Sequence, residues 1–153
     1  MNPAMRFATL LALAAPLSLT LPAQQAAAAP VASQQNFKAF FSDFRSAVLA
    51  HDRARVAGMV KLPFKDFSEG PVNRSAATRA QFIANFDKLF TPGVVAAIRT
   101  GKIRAFRPGS DDGEAPGPLM KGEYLLNATD IKEQLVFSPK GGGYVLSRIP
   151  FYS

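Results

Sequence analysis

Residues 120–152, MKGEYLLNATDIKEQLVFSPKGGGYVLSRIPFY, decide the fold of this chain. The stretch contains three segments of strand-forming residues separated by turn formers: Gly122–Asn127, Ile131–Ser138 and Tyr144–Phe151. In the middle segment the odd-numbered positions share one face, the period-2 pattern of a half-buried strand: Ile131, Glu133, Leu135 and Phe137. Because connections this short join antiparallel neighbours, the stretch predicts a three-stranded antiparallel meander.

The residues before this meander predict two helices and a strand. Apolar side chains at three- and four-residue steps from Phe37 to Leu49 predict a helix of about four turns with one face in the core. Asp52 is placed to cap a second, short helix at Arg53–Met59. The extended segment from 60 to 67 contains Pro63, which lacks a backbone donor. We therefore expect this segment to be an edge strand or to contain a bulge.

The middle of the chain predicts two more helices and a short basic strand. Thr78 and Gln81 have the capping-box spacing, and a single apolar face follows as far as Phe90. The dipeptide Thr91-Pro92 then starts the next helix, because proline is tolerated at the first helical position. The segment 102–107 alternates between basic and apolar residues and predicts a strand.

The first residues have the pattern of a secretory signal peptide. One positive charge, Arg6, precedes an apolar run, and four alanines follow at 26–29. We expect cleavage near Ala28, which makes 1–28 a signal peptide, 29–36 a flexible leader and 37–153 a single domain. The protein is then periplasmic or secreted. The apolar run is too short to span a bilayer comfortably, so we expect no membrane span in the mature form.

The composition narrows the chemistry that the domain can use. The chain has no cysteine, which excludes disulfides and thiol catalysis, and its 13 phenylalanines can supply the core on which an exported domain without disulfides depends. The full chain has a net charge of +7, and removal of Arg6 lowers it to +6. Such a charge implies solubility and weak attraction to anionic surfaces.

The predicted order of elements resembles that of the NTF2-like superfamily, and in particular of its small exported members. The resemblance rests on Phe37–Phe67, a Phe-rich helix and a short helix that lead into a strand with Leu-Pro-Phe. It also rests on Gln81–Phe90 followed by Thr91-Pro-Gly-Val. It implies an α+β cone in which a bent antiparallel sheet wraps around the N-terminal helices. The superfamily includes enzymes, ligand binders, dimerisation modules and immunity proteins, so the fold alone does not choose a function.

Enzymatic members of this superfamily commonly use an Asp–His or Tyr–Asp set in a cavity between the sheet and the first helices. Neither set can be placed in this chain. The only histidine, His51, is adjacent to Asp52 at a turn between helices, where Asp52 is needed as a cap. One histidine without cysteine does not make an ordinary zinc site. We therefore predict no catalytic residue, no metal and no cofactor.

Two charged clusters have both a functional and a structural interpretation. The acidic loop with Asp111, Asp112 and Glu114 offers oxygen ligands for calcium but lacks the spacing of a calcium loop, so solvated loop acids are favoured. A basic cluster at the end of the fourth predicted helix and on the strand after it could bind an anion, although a charge-protected edge strand is favoured: Arg99, Lys102, Arg104 and Arg107. Nucleic acid is not an expected partner, since no stacking aromatics interleave with these residues in a known motif.

The best candidate for a ligand-binding site is a polar floor made by Tyr124, Glu133 and Arg148. The alternation of the middle strand points Glu133 toward the concave face, where a carboxylate must be paired or hydrogen-bonded. Tyr124 and Arg148 lie on neighbouring predicted strands and are its expected partners. The alternative is that Glu133 lies at the sheet rim and pairs with a Lys or Arg in solvent.

These observations lead to three hypotheses for function. The first is an exported, non-enzymatic NTF2-like domain that binds a small ligand or a protein partner. The second is a cavity-based hydrolase or isomerase with Glu133 or Asp66 as base. The third is an immunity-type interaction module with an exposed apolar patch on the outer sheet face, or a homodimer formed through it. That patch would contain residues that share one face of the last strand: Tyr144, Leu146 and Tyr152.

Overall fold

The computed structural model describes residues 34–107 and 119–151. It contains five helices, five strands and one 3₁₀ turn at Ile131–Glu133 within these ranges. The helices are α1 (Gln34–Leu49), α2 (Arg53–Gly58), α3 (Arg79–Ala84), α4 (Phe86–Leu89) and α5 (Pro92–Thr100). The strands are β1 (Val60–Asp66), β2 (Ile103–Ala105), β3 (Tyr124–Leu126), β4 (Leu135–Lys140) and β5 (Gly143–Ile149).

The five strands form one sheet in the order β1-β5-β4-β3-β2. Strands β2 to β5 pair with one another in antiparallel, which confirms the predicted meander at the C-terminal end and extends it by the basic strand β2. The first strand, β1, pairs with the last strand in parallel. The α+β class is therefore confirmed, but the sheet is mixed and not purely antiparallel. A parallel pair needs a long crossover connection, here the chain between β1 and β5.

The predicted strand Ile131–Ser138 is wrong in its first half. The backbone N–H of Glu133 donates to the carbonyl of Asp130 (3.0 Å), and the Oδ1 of Asp130 accepts a hydrogen bond from the N–H of Lys132 (2.9 Å). These contacts form a turn in which an aspartate side chain replaces a backbone acceptor. The 3₁₀ turn interrupts the alternation, and the strand β4 begins only at Leu135.

Strand β1 has both of the properties that Pro63 predicted. It lies at one edge of the sheet, and its pairing with β5 shifts in register between Val60 and Lys65. Val60 is opposite Leu146, whereas Lys65 is opposite Arg148. The irregularity therefore falls on the segment that contains the residue without a backbone donor.

The helix ends follow the predicted caps. Asp52 caps α2, and the Oγ1 of Thr78 accepts a hydrogen bond from the backbone N–H of Gln81 (3.2 Å). The side chain of Gln81 accepts from the N–H of Ala77 (2.8 Å), one residue before the cap. The predicted single helix that ends at Phe90 is interrupted at Asn85, whose side chain instead donates to the carbonyl of Ser75 (3.0 Å).

The core lies between α1 and the inner face of the sheet, as the spacing of the phenylalanines predicted. Phe137 of β4 is fully buried, and four rings of α1 surround it with centroid distances of 5.2 to 6.0 Å: Phe37, Phe40, Phe41 and Phe44. Tyr144 and Leu146 belong to this core. The prediction that they form an exposed patch is therefore wrong, and Tyr152 lies outside the described residues.

None of the helices within 34–107 and 119–151 is both long enough and apolar enough to cross a bilayer. The longest, α1, has 16 residues and carries charged side chains outside its apolar face, among them Lys38, Asp43 and Arg45. The apolar face of α1 packs against the sheet.

Candidate functional site

The three residues predicted to share a pocket floor have separate partners. Tyr124 lies on the inner face of β3, where its ring stacks on Phe37 with 3.6 Å between centroids and 3° between planes. Glu133 lies in the 3₁₀ turn and accepts a hydrogen bond from the hydroxyl of Thr91 (2.6 Å). Arg148 pairs with Glu123. Because the 3₁₀ turn takes Glu133 out of the strand, the predicted trio does not form.

Glu123 lies on the face of the sheet that points away from α1, and the strand pattern did not identify it as a candidate. Its carboxylate accepts two hydrogen bonds from Arg148, both at 2.7 Å, one from the N–H of Met120 (2.9 Å) and one from the hydroxyl of Ser138 (2.6 Å). Burial alone would raise the pKa of Glu123, but the hydrogen bonds from Arg148, Met120 and Ser138 outweigh burial and lower it. The residue is therefore an ion-paired carboxylate.

A bulge in β5 places Ser147 beside this ion pair. Val136 is opposite Arg148, whereas Phe137 is opposite Leu146, so Ser147 is an extra residue in the strand. Its hydroxyl lies 2.7 Å from that of Ser138 and donates to the carbonyl of Val136 (2.9 Å). The bulge brings Ser147 and Arg148 to the same side of the sheet as Glu123.

A second buried ion pair joins Asp66 at the end of β1 to Arg74. The Nε of Arg74 lies 2.8 Å from the Oδ2 of Asp66, and the side chains are only 8% and 5% exposed. Ser68 donates to Asp66 through both its N–H (3.0 Å) and its hydroxyl (2.6 Å). Burial raises the pKa of Asp66, and the hydrogen bonds from Arg74 and Ser68 lower it by more, so that the pKa lies below its usual value.

These lowered pKa values argue against Asp66 or Glu123 as a general base. A general base works best when its pKa lies near the operating pH. Each of these carboxylates is instead held in its charged form by an arginine and by neutral donors. Their geometry stabilises the fold and leaves no reason for either to take a proton from a substrate.

The same two carboxylates predict a loss of stability in acid. Because their pKa values are lower in the folded than in the unfolded state, their contribution is present above about pH 4 and is lost as the pH falls through the folded values. We expect the urea midpoint to change little between about pH 7 and 5 and to fall steeply below about pH 4.

The acid prediction has a matched control. The Asp87→Asn variant removes an exposed carboxylate, whose side chain is 67% accessible, and should leave the shape of the pH curve unchanged. A urea midpoint that stays constant down to about pH 2 would show that neither buried pair carries the expected linkage.

Glu133 lies against the first turn of α5. The hydroxyl of Thr91 caps that helix by accepting from the N–H of Val94 (3.3 Å) while it donates to Glu133 (2.6 Å). A carboxylate here is favourable because the start of a helix carries partial positive charge. The contact therefore gives Glu133 a structural role between the 3₁₀ turn and α5.

The Thr91→Ala variant removes both of these hydrogen bonds. We expect it to lower the free energy of unfolding by about 0.5–2 kcal/mol, the usual cost of a lost N-cap. Chemical denaturation of the two proteins measures this difference. Thr91→Ser keeps the hydroxyl and should retain most of the stability, and an equal loss in both variants would rule out the capping contact as the cause.

The other predicted candidates remain peripheral. His51 is exposed, takes a positive φ of 54° after α1, and its ring lies 6.3 Å from that of Phe86. Within the part of the chain that the structure describes, no three His, Asp or Glu residues are grouped to hold a metal. Asp111, Asp112 and Glu114 lie outside that part. Of the basic cluster, Arg104 lies on the edge strand β2, as predicted.

A groove of about 400 Å³ opens between α1 and the edge strand β2; we call it the helix groove. Phe37, Phe41 and Tyr124 form its aromatic wall, and Ile103 and Ala105 of β2 form the opposite side. Two cations, Lys38 and Arg45, line the groove from α1. A mostly apolar site of this size with a few charged groups is typical of small-ligand pockets.

A larger cleft of about 560 Å³ lies on the outer face of the sheet; we call it the outer cleft. The ion pair of Glu123 and Arg148 is part of its lining, together with Ser138 and Ser147. The lining also includes three lysines and two exposed apolar side chains: Lys61, Lys65, Lys121, Phe67 and Met120. The two sites lie on opposite sides of the sheet, since Tyr124 lines one and its neighbour Glu123 lines the other.

Comparisons with protein-family models, with curated proteins and with solved structures find no match to this chain.

Proposed function

We propose that this protein is an exported, non-enzymatic domain of NTF2-like type that binds a small ligand in the helix groove. The observation that carries this proposal is the groove itself. It combines an aromatic wall with two cationic side chains in a volume of about 400 Å³, which suits a small organic molecule.

The NTF2-like part of the proposal is supported by the order and packing of the elements. Two helices, a strand and further helices precede a run of antiparallel strands. The first helix, α1, packs its phenylalanines on the inner face of the sheet around Phe137. A long first helix against a sheet is the arrangement that the resemblance implies, and it puts the helix groove at the open side of their interface.

The side chains of the helix groove favour an apolar, flat ligand with an anionic group. The rings of Phe37 and Tyr124 stack face to face, and offset or edge contacts with a further ring would add favourable energy. Lys38 and Arg45 can then pair with a carboxylate or sulfonate on that ligand.

Binding without catalysis is favoured by the partners of the acidic side chains. Asp66 and Glu123 have lowered pKa values and arginine partners, and Glu133 is held by Thr91. The space between α1 and the centre of the sheet is filled by buried phenylalanine rings such as Phe44 and Phe137. The paired carboxylates and the phenylalanine-filled interior therefore do not supply the catalytic acid–base pair in an open cavity that a hydrolase or isomerase needs.

The proposal is tested with 8-anilinonaphthalene-1-sulfonate, which joins an aromatic body to an anion and fluoresces when bound. We expect saturable binding to the folded protein. Ala105 is exposed on the groove, so Ala105→Trp should obstruct the site and weaken binding by at least about tenfold. Arg45→Glu should weaken binding of the anion as well.

A matched control for the blocking variant is Ala96→Trp on the exposed side of α5, which adds the same ring away from the groove. Dye binding that survives Ala105→Trp, or that falls equally in Ala96→Trp, would refute the helix groove as the site. Native mass spectrometry of protein purified from the exported fraction would then identify a ligand retained from the cell.

Export is tested by determining the N-terminus of the mature protein. The alanine-rich end of the signal-like segment leads us to expect a new N-terminus at or near Ala29 in the periplasmic or secreted fraction. Protein retained in the cytoplasm with its first residue at Met1 or Met5 would contradict export, and it would leave the binding test unaffected.

A further inference from the structure

The outer cleft carries an excess of positive charge. The pair of Glu123 and Arg148 in its lining is neutral in sum, whereas three lysines add to it. Across residues 34–107 and 119–151, no salt bridge involves Lys61, Lys65 or Lys121. Like charges that line one concave surface raise its potential and attract anions.

The lysines are accompanied by exposed apolar side chains. Phe67 follows β1 and is 47% exposed, and Met120 is 63% exposed. Both line the outer cleft, on a molecule whose other phenylalanines are largely used in the core. An apolar group of a partner can cover these two side chains and remove their surface from water.

The spacing of two lysines favours an elongated partner. Lys61 and Lys65 are four residues apart on β1 and line the same cleft, so they are separated by at most roughly 13 Å along the strand. In an extended peptide, two residues that are four positions apart are separated by the same distance as these lysines. A compact anion such as a phosphate pairs more readily with a single one of them.

The geometry points to the outer cleft as a docking site for an extended, acidic segment of a partner protein. Two acidic side chains of that segment, four residues apart, pair with Lys61 and Lys65. An apolar side chain of the segment contacts Phe67 and Met120. This inference is independent of the helix groove, which lies on the other side of the sheet.

The concave shape of the site favours a polypeptide over a membrane surface. Ser138, Ser147 and Arg148 line the outer cleft together with the lysines, and a planar lipid surface does not enter a recess. A peptide chain does enter it, and a peptide N–H can donate to the hydroxyl oxygen of Ser138, which is partly exposed. The charge and the shape together therefore select an acidic peptide.

The test is fluorescence anisotropy with the full-length mature protein and a labelled nine-residue peptide. The second and sixth residues of this probe are glutamate, its eighth residue is phenylalanine, and the rest are serine and glycine. We expect saturable binding that weakens as salt is added. A probe with glutamine in place of both glutamates should bind at least about tenfold more weakly.

The protein variants assign the binding to the outer cleft. Lys61→Glu/Lys65→Glu should weaken binding at least about tenfold, and both residues are exposed, so the fold should persist in a thermal melt. The control is Lys88→Glu/Lys132→Glu, which makes the same change in net charge at two exposed lysines away from the cleft and should retain the affinity. Phe67→Ala should weaken binding severalfold without changing the melt.

Several outcomes would overturn the inference. It fails if the acidic probe does not bind, or if the glutamine probe binds equally well. It also fails if the control pair of substitutions costs as much affinity as the cleft pair. The protein could instead bind phosphatidylglycerol vesicles in preference to the peptide, with the same dependence on Lys61 and Lys65. The partner would then be a membrane. The same result with pyrophosphate would identify a small anion as the ligand.

Discussion

Phe137→Ala is expected to lower the free energy of unfolding by about 3–5 kcal/mol, the usual cost of removing a buried phenylalanine. Phe137 is fully buried at the centre of β4, and the nearest ring, that of Phe44, lies 5.2 Å away at 82°. Edge-to-face contacts of this kind add to the burial of apolar area. The truncation removes contacts with all four rings of α1 at once.

The magnitude is large because the neighbours cannot close the space. Phe41 and Phe44 are held by α1, and Phe137 is flanked in the sheet by Tyr124 of β3 and Leu146 of β5. Chemical denaturation measures the effect, with Phe151→Ala as the control, since Phe151 is 44% exposed. A loss below about 1 kcal/mol for Phe137→Ala would show that the ring cluster is not the centre of the core.

Features that depend on local chemistry could be predicted from the sequence. The caps at Asp52 and Thr78 require only one side chain and the next few backbone donors, and both form as expected. The helix predicted to start at Thr91-Pro92 also forms. The spacing of phenylalanines on α1 identified the buried face. Turn formers also gave the order of the antiparallel strands, because neighbours in such a meander are neighbours in the chain.

Features that depend on distant or competing contacts could not be predicted. The parallel pairing of β1 with β5 joins segments that lie far apart in the chain. At Ile131–Glu133 the alternation favoured a strand, but hydrogen bonds to Asp130 favour a turn, and the turn forms. A local bond that a short side chain offers the backbone competes directly with pairing in a sheet.

The partners of the candidate site residues could not be predicted from the sequence for the same reason. Tyr124 and Arg148 were identified as candidates, yet each lines a different site. The partner of Arg148 is Glu123 because the bulge at Ser147 sets which residues of β5 face outward. Since one extra residue reverses the direction of the following side chains, a strand pattern alone cannot identify the partner.

Arg74→Ala is expected to be about as destabilising as the truncation of Phe137, by about 3–5 kcal/mol, because it leaves the buried carboxylate of Asp66 without its ion-pair partner. The guanidinium also donates to the hydroxyl of Ser68 and to the carbonyl of Lys132, both at 2.8 Å. One side chain thus joins the end of β1, the following loop and the 3₁₀ turn, and its loss removes a charged donor from all three.

A control variant shows whether Arg74→Ala lowers the stability because it breaks the buried ion pair or only because it removes a positive charge. Arg55→Ala removes an exposed guanidinium that lies 3.9 Å from the carboxylate of Asp43, and it should cost less than about 1 kcal/mol. The double variant Asp66→Asn/Arg74→Met leaves no buried charge, so it should be more stable than the sum of the single losses predicts. Strict additivity would mean that the two side chains stabilise the fold independently and that Asp66 does not depend on Arg74.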